Sequence, residues 1–236
     1  MRRATRVLLG AAVMLLGLGA FAVPAGAAVD GGCTVTINGV NVDKAHSPGT
    51  AFEFSEDEVV RVVGTSSAPV ESYDIDMVYG LFTYPAKSGS PTGDDTVWAS
   101  EVEVGDYTRY GVGIYRVEGS STGAAPCSGW AYITITGPFP LATVAGGTAA
   151  LLTVVGVAGM ASAARPPKGA KAGRGHRWRG SLFGLLAGAG VAVLLQQFGV
   201  VPMTPAVMVG VPVGTAMIGL AIGWPQLFGT ASATAA

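Results

Sequence analysis

The stretch ARPPKGAKAGRGHRWRG, residues 164–180, separates two long apolar runs and holds six Lys or Arg residues and no acid. All 15 Asp and Glu residues lie at or before Glu118, so the charges are sorted by sign along the chain. Short loops rich in Lys and Arg stay on the cytoplasmic side of a membrane. The stretch therefore predicts a cytoplasmic loop between two membrane helices. Its bases serve as a topology signal or, alternatively, contact anionic lipid. They are Arg165, Lys168, Lys171, Arg174, Arg177 and Arg179.

Three uncharged apolar runs adjoin this loop, at residues 141–163, 181–201 and 205–223. A helix rises about 1.5 Å per residue, so about 20 residues cross a hydrocarbon core about 30 Å thick. The runs predict three transmembrane helices, the last two joined outside by a turn at residues 202–204. With the basic loop inside, residues 224–236 become a cytoplasmic tail. The sequence thus indicates a multi-pass plasma-membrane protein with its N-terminal domain outside.

Residues 1–28 have the pattern of a secretory signal peptide. Arg2, Arg3 and Arg6 precede an apolar segment that extends from Val7 to Val23, and the small residues 25–27 offer a cleavage site. We therefore expect residues 29–138 to form an extracytoplasmic domain. An exported domain with two cysteines favours one disulfide, between Cys33 and Cys127.

The exported region is predicted to be all-β. Short runs rich in Val, Ile, Thr and aromatic residues recur between turn sequences of Gly, Pro, Ser and Asp. Seven strands are predicted, at residues 33–38, 50–54, 58–63, 72–83, 96–104, 107–117 and 128–136.

Seven strands in about 110 residues resemble an immunoglobulin-like β-sandwich. The segment EVGDYTRYGVGIYRV, residues 103–117, is similar to the tyrosine corner of such folds, with Tyr107 at the start of a strand. Antibody-type domains place a cysteine two residues after that tyrosine, whereas this chain has Arg109. The resemblance concerns the fold and implies no function.

The sequence offers no recognisable catalytic group. His46 is the only histidine of the exported region, and His176 belongs to the loop beyond the first helix. A nucleophile needs an adjacent base, and neither a GxSxG motif nor a phosphate-binding glycine loop is present. We expect no enzymatic activity and no cofactor.

The acidic residues suggest a second possibility, because carboxylates are the ligands of calcium. Residues 29–140 carry a net charge of −10, from 15 acids and five bases. A plain acidic surface explains this as well, since it confers solubility. The alternative is a ligand- or calcium-binding receptor or adhesin. Its candidate ligands are Asp74, Asp76, Asp94 and Asp95.

Small residues in the last two helices predict close helix packing through GxxxG spacing. Gln196 and Gln197 form the one strongly polar pair there and are expected to bond between helices or fill an interface. The packing glycines are Gly184, Gly188, Gly210, Gly214, Gly219 and Gly223.

These features favour an interaction or accessory subunit of a cell-envelope complex. Its helices lack the ionisable residues that transporters use for coupling. The expected partners are membrane lipids and another membrane or envelope protein, or a second copy of the chain. Nucleic acid is not expected.

Overall fold

A computed structural model describes residues 33–91, 95–108, 110–163 and 174–222. The predicted signal peptide, Asp94, Arg109, residues 164–173 of the basic loop and the tail 224–236 lie outside the described residues.

Two β-sheets form a sandwich from nine strands in the described residues. The four-stranded sheet has the order β2-β1-β4-β7, and the five-stranded sheet has the order β3-β9-β8-β5-β6. Paired strands are antiparallel except β3 and β9, which are parallel. The strands are β1 Thr34–Ile37, β2 Val40–Asn41, β3 Phe52–Ser55, β4 Val59–Thr65, β5 Val70–Tyr79, β6 Phe82–Gly89, β7 Val97–Glu103, β8 Gly113–Gly123 and β9 Cys127–Thr136.

This strand order is similar to that of an immunoglobulin-like sandwich. The strands β1, β4 and β7 occupy the places of A, B and E, while β9, β8, β5 and β6 occupy those of G, F, C and C′. The expected two-sheet architecture is confirmed. The core forms because alternate residues of each strand point inward, as Val60 and Val62 do on β4 and Ile133 and Ile135 do on β9.

The predicted disulfide is also confirmed. Cys33 precedes β1 and Cys127 begins β9, so the bond ties the two sheets together, with a Cα–Cα distance of 5.9 Å. Between the sheets the indole of Trp98 stacks on the ring of Tyr73 at 4.5 Å. Gly64 is required beneath this indole, because a Cβ there would overlap the ring of Trp98.

Two strand predictions are wrong. Residues 72–83 form a hairpin rather than one strand, since Gly80 adopts a φ of +64° and turns β5 into β6. Residues 107–117 begin with a short helix, α1 (Gly105–Thr108), and β8 starts only at Gly113. Tyr107 therefore lies on a helix. Its hydroxyl donates to the carbonyl oxygen of Ala86 (2.7 Å), which lies on β6, 21 residues upstream, and not a few residues away as in a tyrosine corner.

Three long apolar helices follow the sandwich, and each is long and apolar enough to cross a membrane. They are α2 (Val144–Ala163), α3 (Arg174–Gln197) and α4 (Pro205–Ile222). Helix α3 begins at Arg174, seven residues before the predicted second span, and so includes the last residues of the predicted loop. It also ends before position 201. Gly199, at φ +68°, forms a Schellman cap in which the N–H of Val200 donates to the carbonyl of Leu195 (2.8 Å).

The helices form a row rather than a closed bundle. The central helix α3 packs against α2 on one side and α4 on the other, while α2 and α4 scarcely touch. The row continues the order of three strands of the five-stranded sheet. Helix α2 follows β9 in the chain, the end of α3 contacts β8, and the hairpin after β5 bonds to Met203, just before α4. The helix row thus lies at one end of the strands of the five-stranded sheet.

Candidate functional site

Gln196 and Gln197, at the end of α3, are almost fully buried, with exposed fractions of 0% and 2%. The sequence predicted that they bond between helices or fill a satisfied interface position. They do lie buried at an interface, but their hydrogen bonds go mainly to the sandwich rather than to another helix. We call the group of Gln196, Gln197, Val112, Ile114 and Tyr115 the amide network.

Gln197 joins three parts of the chain. Its Oε1 accepts hydrogen bonds from the N–H of Val112 (2.9 Å) and the hydroxyl of Thr143 (3.3 Å), which precedes α2. Its Nε2 donates to Oε1 of Gln196 (2.7 Å) and to the hydroxyl of Tyr115 (3.3 Å). One side chain of α3 therefore bonds to the sandwich, to the segment before α2 and to its neighbour on α3.

Gln196 completes the amide network. Its Nε2 donates to the carbonyl oxygens of Ile114 (3.1 Å) and Val112 (3.4 Å), and the Tyr115 hydroxyl donates to the Val112 carbonyl (3.3 Å). Every polar atom of the two amides has a partner. A buried network whose members are all satisfied fixes one arrangement, because any displacement leaves a buried polar group unpaired.

Glycines permit this close approach. Gly113 has a φ of +104°, and a Cβ there would overlap the carbonyl of Gln196. A Cβ at Gly111 would lie 2.6 Å from Nε2 of Gln197 and 2.7 Å from the hydroxyl of Tyr115. In the sequence these glycines flank Val112 at the start of a strand. That signal could have indicated a close backbone approach, although not its partner.

Two main-chain hydrogen bonds extend the junction to the outer helices. The N–H of Ala145, in the first turn of α2, donates to the carbonyl of Tyr110 (2.9 Å). The N–H of Gly80 donates to the carbonyl of Met203 (3.0 Å), and the Met208 side chain packs against Gly80. The sandwich is therefore bonded to the end of every helix in the row.

Burial changes the acid–base properties of two tyrosines near this junction. Burial raises the pKa of Tyr115, against the opposing effect of its hydrogen bonds with Gln196 and Gln197. The pKa of Tyr79 is also raised, by burial first and then by the neighbouring Tyr115 and Tyr84 hydroxyls. The rings of Tyr79 and Tyr115 lie 6.2 Å apart. Both hydroxyls are thus kept neutral well into alkaline conditions.

A second organised region lies on the outer face of the five-stranded sheet. His46 stacks on Trp130 with a centroid distance of 4.5 Å, and the guanidinium of Arg116 lies 4.5 Å from the centroid of the Trp130 ring. Arg116 also forms an ion pair with Glu118 at 2.7 Å. Tyr132 packs edge-on against Trp130 at 5.4 Å. These side chains chiefly cover one another, since Trp130 and Tyr132 are buried.

His46 has no catalytic arrangement within the described residues. Its Nε2 is buried and lacks a hydrogen-bond partner there, as does Nε of Arg116. The side chain is held by its stacking on Trp130. An apolar cavity of about 50 Å³ lies elsewhere, between the two sheets, and is lined by residues such as Val60, Ile75 and Ile133. It offers no polar group to orient a ligand.

Of the proposed calcium ligands, Asp95 lies away from Asp74 and Asp76, and Asp94 is outside the described residues. Asp74 and Asp76 lie on β5, opposite Ser120 and Glu118 of β8. The carbonyl of Asp95 accepts from the N–H of Val70, four residues before Asp74, or about 13 Å along a strand. In the part of the chain that the structure describes, no three His, Cys, Asp or Glu side chains could hold a metal ion together.

Three of the glycines predicted to pack between helices lie at one helix contact. A Cβ at Gly184 or Gly188 would overlap Thr215, and one at Gly219 would overlap the carbonyl of Gly180, so these three lie where α3 meets α4. The prediction that Gly210 packs against another helix is corrected, because a Cβ there would meet nothing within 4 Å. Gly214 lies on α4, half-buried, and Gly223 lies outside the described residues.

The contact between α2 and α3 also depends on glycines, which the GxxxG spacing did not predict. Gly156 packs against Ala187, Gly159 against the ring of Phe183, and Gly190 against Thr153. Gly156 and Gly159 are three residues apart and Gly190 stands apart from both, so the GxxxG spacing does not identify them.

The basic residues mark the end of α3 that is remote from the sandwich. Arg174, Arg177 and Arg179 lie in its first two turns, and Arg179 is exposed. Arg179 precedes Gln197 by 18 residues, or about 27 Å along a helix. Arg165, Lys168 and Lys171 lie outside the described residues.

No family model matches the sequence, and no curated protein is similar to it. Solved structures are similar at low identity. A polysaccharide lyase is 16% identical, with a TM-score of 0.28 over 55% of this chain and 14% of the lyase. A lytic polysaccharide monooxygenase of Jonesia denitrificans is 8% identical, with a TM-score of 0.26 over 37% of this chain and 57% of that protein. The fibronectin(III)-like modules of Clostridium thermocellum CbhA are 13% identical, with a TM-score of 0.26 over 43% of this chain and 93% of the module.

These comparisons overturn the expectation that the chain is not an enzyme, since the similar structures include a lyase and monooxygenases. One sandwich architecture carries catalytic and non-catalytic proteins alike. Likenesses with TM-scores of 0.26–0.28 assign no reaction, substrate or catalytic residue to this chain.

Proposed function

We propose that this chain is a membrane-embedded interaction subunit of a cell-envelope complex, which presents its sandwich in a fixed orientation outside the plasma membrane. In this arrangement α2, α3 and α4 cross the bilayer, and the basic loop and the tail face the cytoplasm. The described ends of the helices support the order, because the sandwich bonds to the start of α2, the end of α3 and the segment before α4. Three alternating spans require this pattern.

The amide network is the observation that carries the proposal. A simple anchor needs one helix and a flexible tether, whereas here two buried amides and two close glycines hold the sandwich against three helices. Such an arrangement fixes the orientation of the sandwich relative to the helices as well as its position. A fixed direction is useful when one surface of the domain must face a neighbouring protein.

The outer face of the five-stranded sheet is the surface that we assign to this partner. It presents Arg116 and Glu118 beside the acidic residues Asp74 and Asp76. Interface hot spots are enriched in Arg and aromatic residues, and charged pairs set the orientation of the partner. The calcium alternative has no comparable support in the described residues.

Photo-crosslinking in the native membrane tests this function. A photoreactive amino acid would replace Ser120 or Ser128, which are exposed on the outer face of the five-stranded sheet, or Arg61 or Glu101, which are exposed on the four-stranded sheet. We expect one discrete protein adduct from the first pair and none from the second. Equal adducts from both faces, or none from either, would contradict a fixed interaction surface.

A further inference from the structure

Large apolar side chains are exposed around the outer ends of the helix row. Leu81 and Phe82 form the tip of the β5–β6 hairpin, and Phe139 precedes α2. Phe198 and Val200 follow α3. Each exposes half or more of its surface, from 51% for Phe198 to 64% for Leu81 and Phe139. We call these five residues the apolar collar.

Hydrogen bonds and ring contacts fix the level of the collar. The bond from Gly80 to Met203 and the contact of Gly80 with Met208 place the hairpin tip beside the first turn of α4. The rings of Phe139 and Phe198 meet edge-on at 6.2 Å, between the start of α2 and the end of α3. Because α2 and α4 flank α3 on opposite sides, the collar extends along the whole row.

The helix lengths place this level at the membrane boundary. Helix α4 has 18 residues, which gives about 27 Å against a hydrocarbon core about 30 Å thick. On the neighbouring α3, the exposed Arg179 lies about 27 Å before Gln197, so the outer boundary of the core falls near the end of α3 and the start of α4. Leu81 and Phe82 lie beside this position and are therefore level with the lipid headgroups and upper acyl chains.

On the side of the β5–β6 hairpin, the charges of the sandwich follow the same boundary. Residues 77–86, 110–115 and 131–163 contain no charged residue, whereas Asp74, Asp76 and Lys87 lie farther from the hairpin tip. The acids at residues 56–58 follow β3 at this same end of the sheet, because Ser55 pairs with Thr136 and Glu56 lies beside Gly137. The uncharged base of the sandwich is therefore confined to the β5–β6 hairpin and the start of β8.

We propose that the apolar collar inserts into the outer leaflet of the membrane, so that the sandwich rests on lipid as well as on its own helices. This rests on the membrane embedding that forms part of the proposed function. Lipid is the occupant that fits, because the collar lies on both flanks of the helix row, and a single protein partner would have to surround the row to cover it. Apolar and aromatic groups at this level lie about 5–10 Å deep, at the boundary between headgroups and acyl chains.

Depth-dependent fluorescence quenching of the full-length protein in phosphatidylcholine–phosphatidylglycerol liposomes tests the collar. Single cysteines at Leu81→Cys, Phe139→Cys, Lys87→Cys and Met217→Cys would carry an environment-sensitive fluorophore. The native cysteines are paired in a disulfide and do not react. Lipids with a nitroxide near the headgroup or near the middle of the acyl chain serve as quenchers. Lys87 is the matched control on β6, and Met217 is an exposed control within α4.

We expect the shallow quencher to act more strongly than the deep one at Leu81 and Phe139, neither quencher to act at Lys87, and the deep quencher to act at Met217. Unquenched labels at Leu81 and Phe139 with a quenched label at Met217 would overturn the collar and leave membrane embedding intact. An unquenched label at Met217 would overturn both proposals. A label at Leu81 that is shielded in native membranes and crosslinks there to a protein would replace lipid by a protein partner.

Discussion

At the scale of single residues, the amides of Gln196 and Gln197 decide how the two halves of the molecule are joined. A glutamine near the end of an apolar helix is ordinary in sequence, but here both side chains are buried and fully hydrogen-bonded. The benefit of each bond is modest, whereas the cost of leaving one partner buried and unpaired is large. This asymmetry makes the network a sensitive point for mutation.

The variant Gln197→Leu should loosen the junction. It removes the acceptor of the Val112 N–H, and a buried unpaired group costs about 1–3 kcal/mol. We expect the free energy of unfolding to fall by about this amount and amide hydrogen exchange to accelerate in residues 110–116. Ser162→Ala is the control, since its hydroxyl bonds only within α2, to the carbonyl of Gly159 (2.7 Å). Exchange in residues 110–116 that matches the wild type would refute a structural role for the amide.

Tyr79 should make stability depend on alkaline pH. Its pKa is raised in the folded chain, so above about pH 10 the unfolded chain releases a proton that the folded chain keeps. Stability is therefore complete below pH 10 and declines above it, by up to roughly 1.4 kcal/mol per pH unit. In denaturant titrations between pH 8 and 11, the free energy of unfolding should decline less steeply with pH for Tyr79→Phe than for the wild type. The difference in slope corresponds to about one bound proton. The exposed Tyr110→Phe serves as the comparison, and identical slopes for Tyr79→Phe and the wild type would disprove the effect.

At the scale of elements, the helices associate through small residues rather than through hydrophobic burial. In the proposed membrane arrangement, lipid chains are as apolar as leucine, so packing at close range supplies the attraction between helices. Gly184 and Gly188 admit the backbone of α4 near Pro212 and Thr215, while Gly156 and Gly190 admit close contact between α2 and α3. Each face of the central helix therefore carries its own glycines.

The variant Gly188→Leu should separate α3 from α4. A Cβ at position 188 would overlap Thr215 and lie 2.6 Å from Cα of Pro212, and overpacking of this kind costs about 1–3 kcal/mol. We expect unfolding at a lower fraction of sodium dodecyl sulfate in mixed micelles, followed by circular dichroism. Gly210→Leu is a matched control, because a Cβ at Gly210 meets nothing within 4 Å. If both variants unfold alike, the glycine contact does not hold the helices together.

At the scale of the whole molecule, the charges of opposite sign lie at opposite ends of the helix row. The acidic sandwich lies at one end of the helix row, and the basic residues of α3 lie at the other. The sheet order β9-β8-β5 parallels the helix order α2-α3-α4, because α2 follows β9, the end of α3 contacts β8, and the hairpin after β5 bonds to Met203 before α4. A rigid connection between the sandwich and three helices transmits orientation, which supports the proposed interaction role.

Thiol labelling in intact cells checks the proposed topology. A cysteine that replaces Ser90 should react with a membrane-impermeant maleimide. The basic loop holds the far end of the helix row in the cytoplasm, which leaves the sandwich outside. A cysteine that replaces Ala170 should react only after the membrane is permeabilised. Labelling of the Ala170 variant in sealed cells would reverse the orientation and place the sandwich in the cytoplasm.

The sequence alone determined the features that depend on a segment and its solvent. Uncharged runs of about 20 residues predicted the three helices, short runs rich in Val, Ile, Thr and aromatic residues between turn sequences predicted the sandwich, and an even cysteine count predicted the disulfide. The end of α3 at Gly199 and the hairpin at Gly80 were also within reach, since each depends on one glycine with positive φ.

Only the tertiary structure decided which buried groups meet. The amide of Gln197 bonds to Val112, 85 residues away, and Gly156 meets Ala187 of the next helix. The hydrophobic effect is non-directional, so apolar patterns state that a residue is buried without naming its neighbour. A buried hydrogen bond instead depends on distance and angle between segments far apart in the chain. For this reason the helices could be read from the sequence, while the junction that orients the sandwich could not.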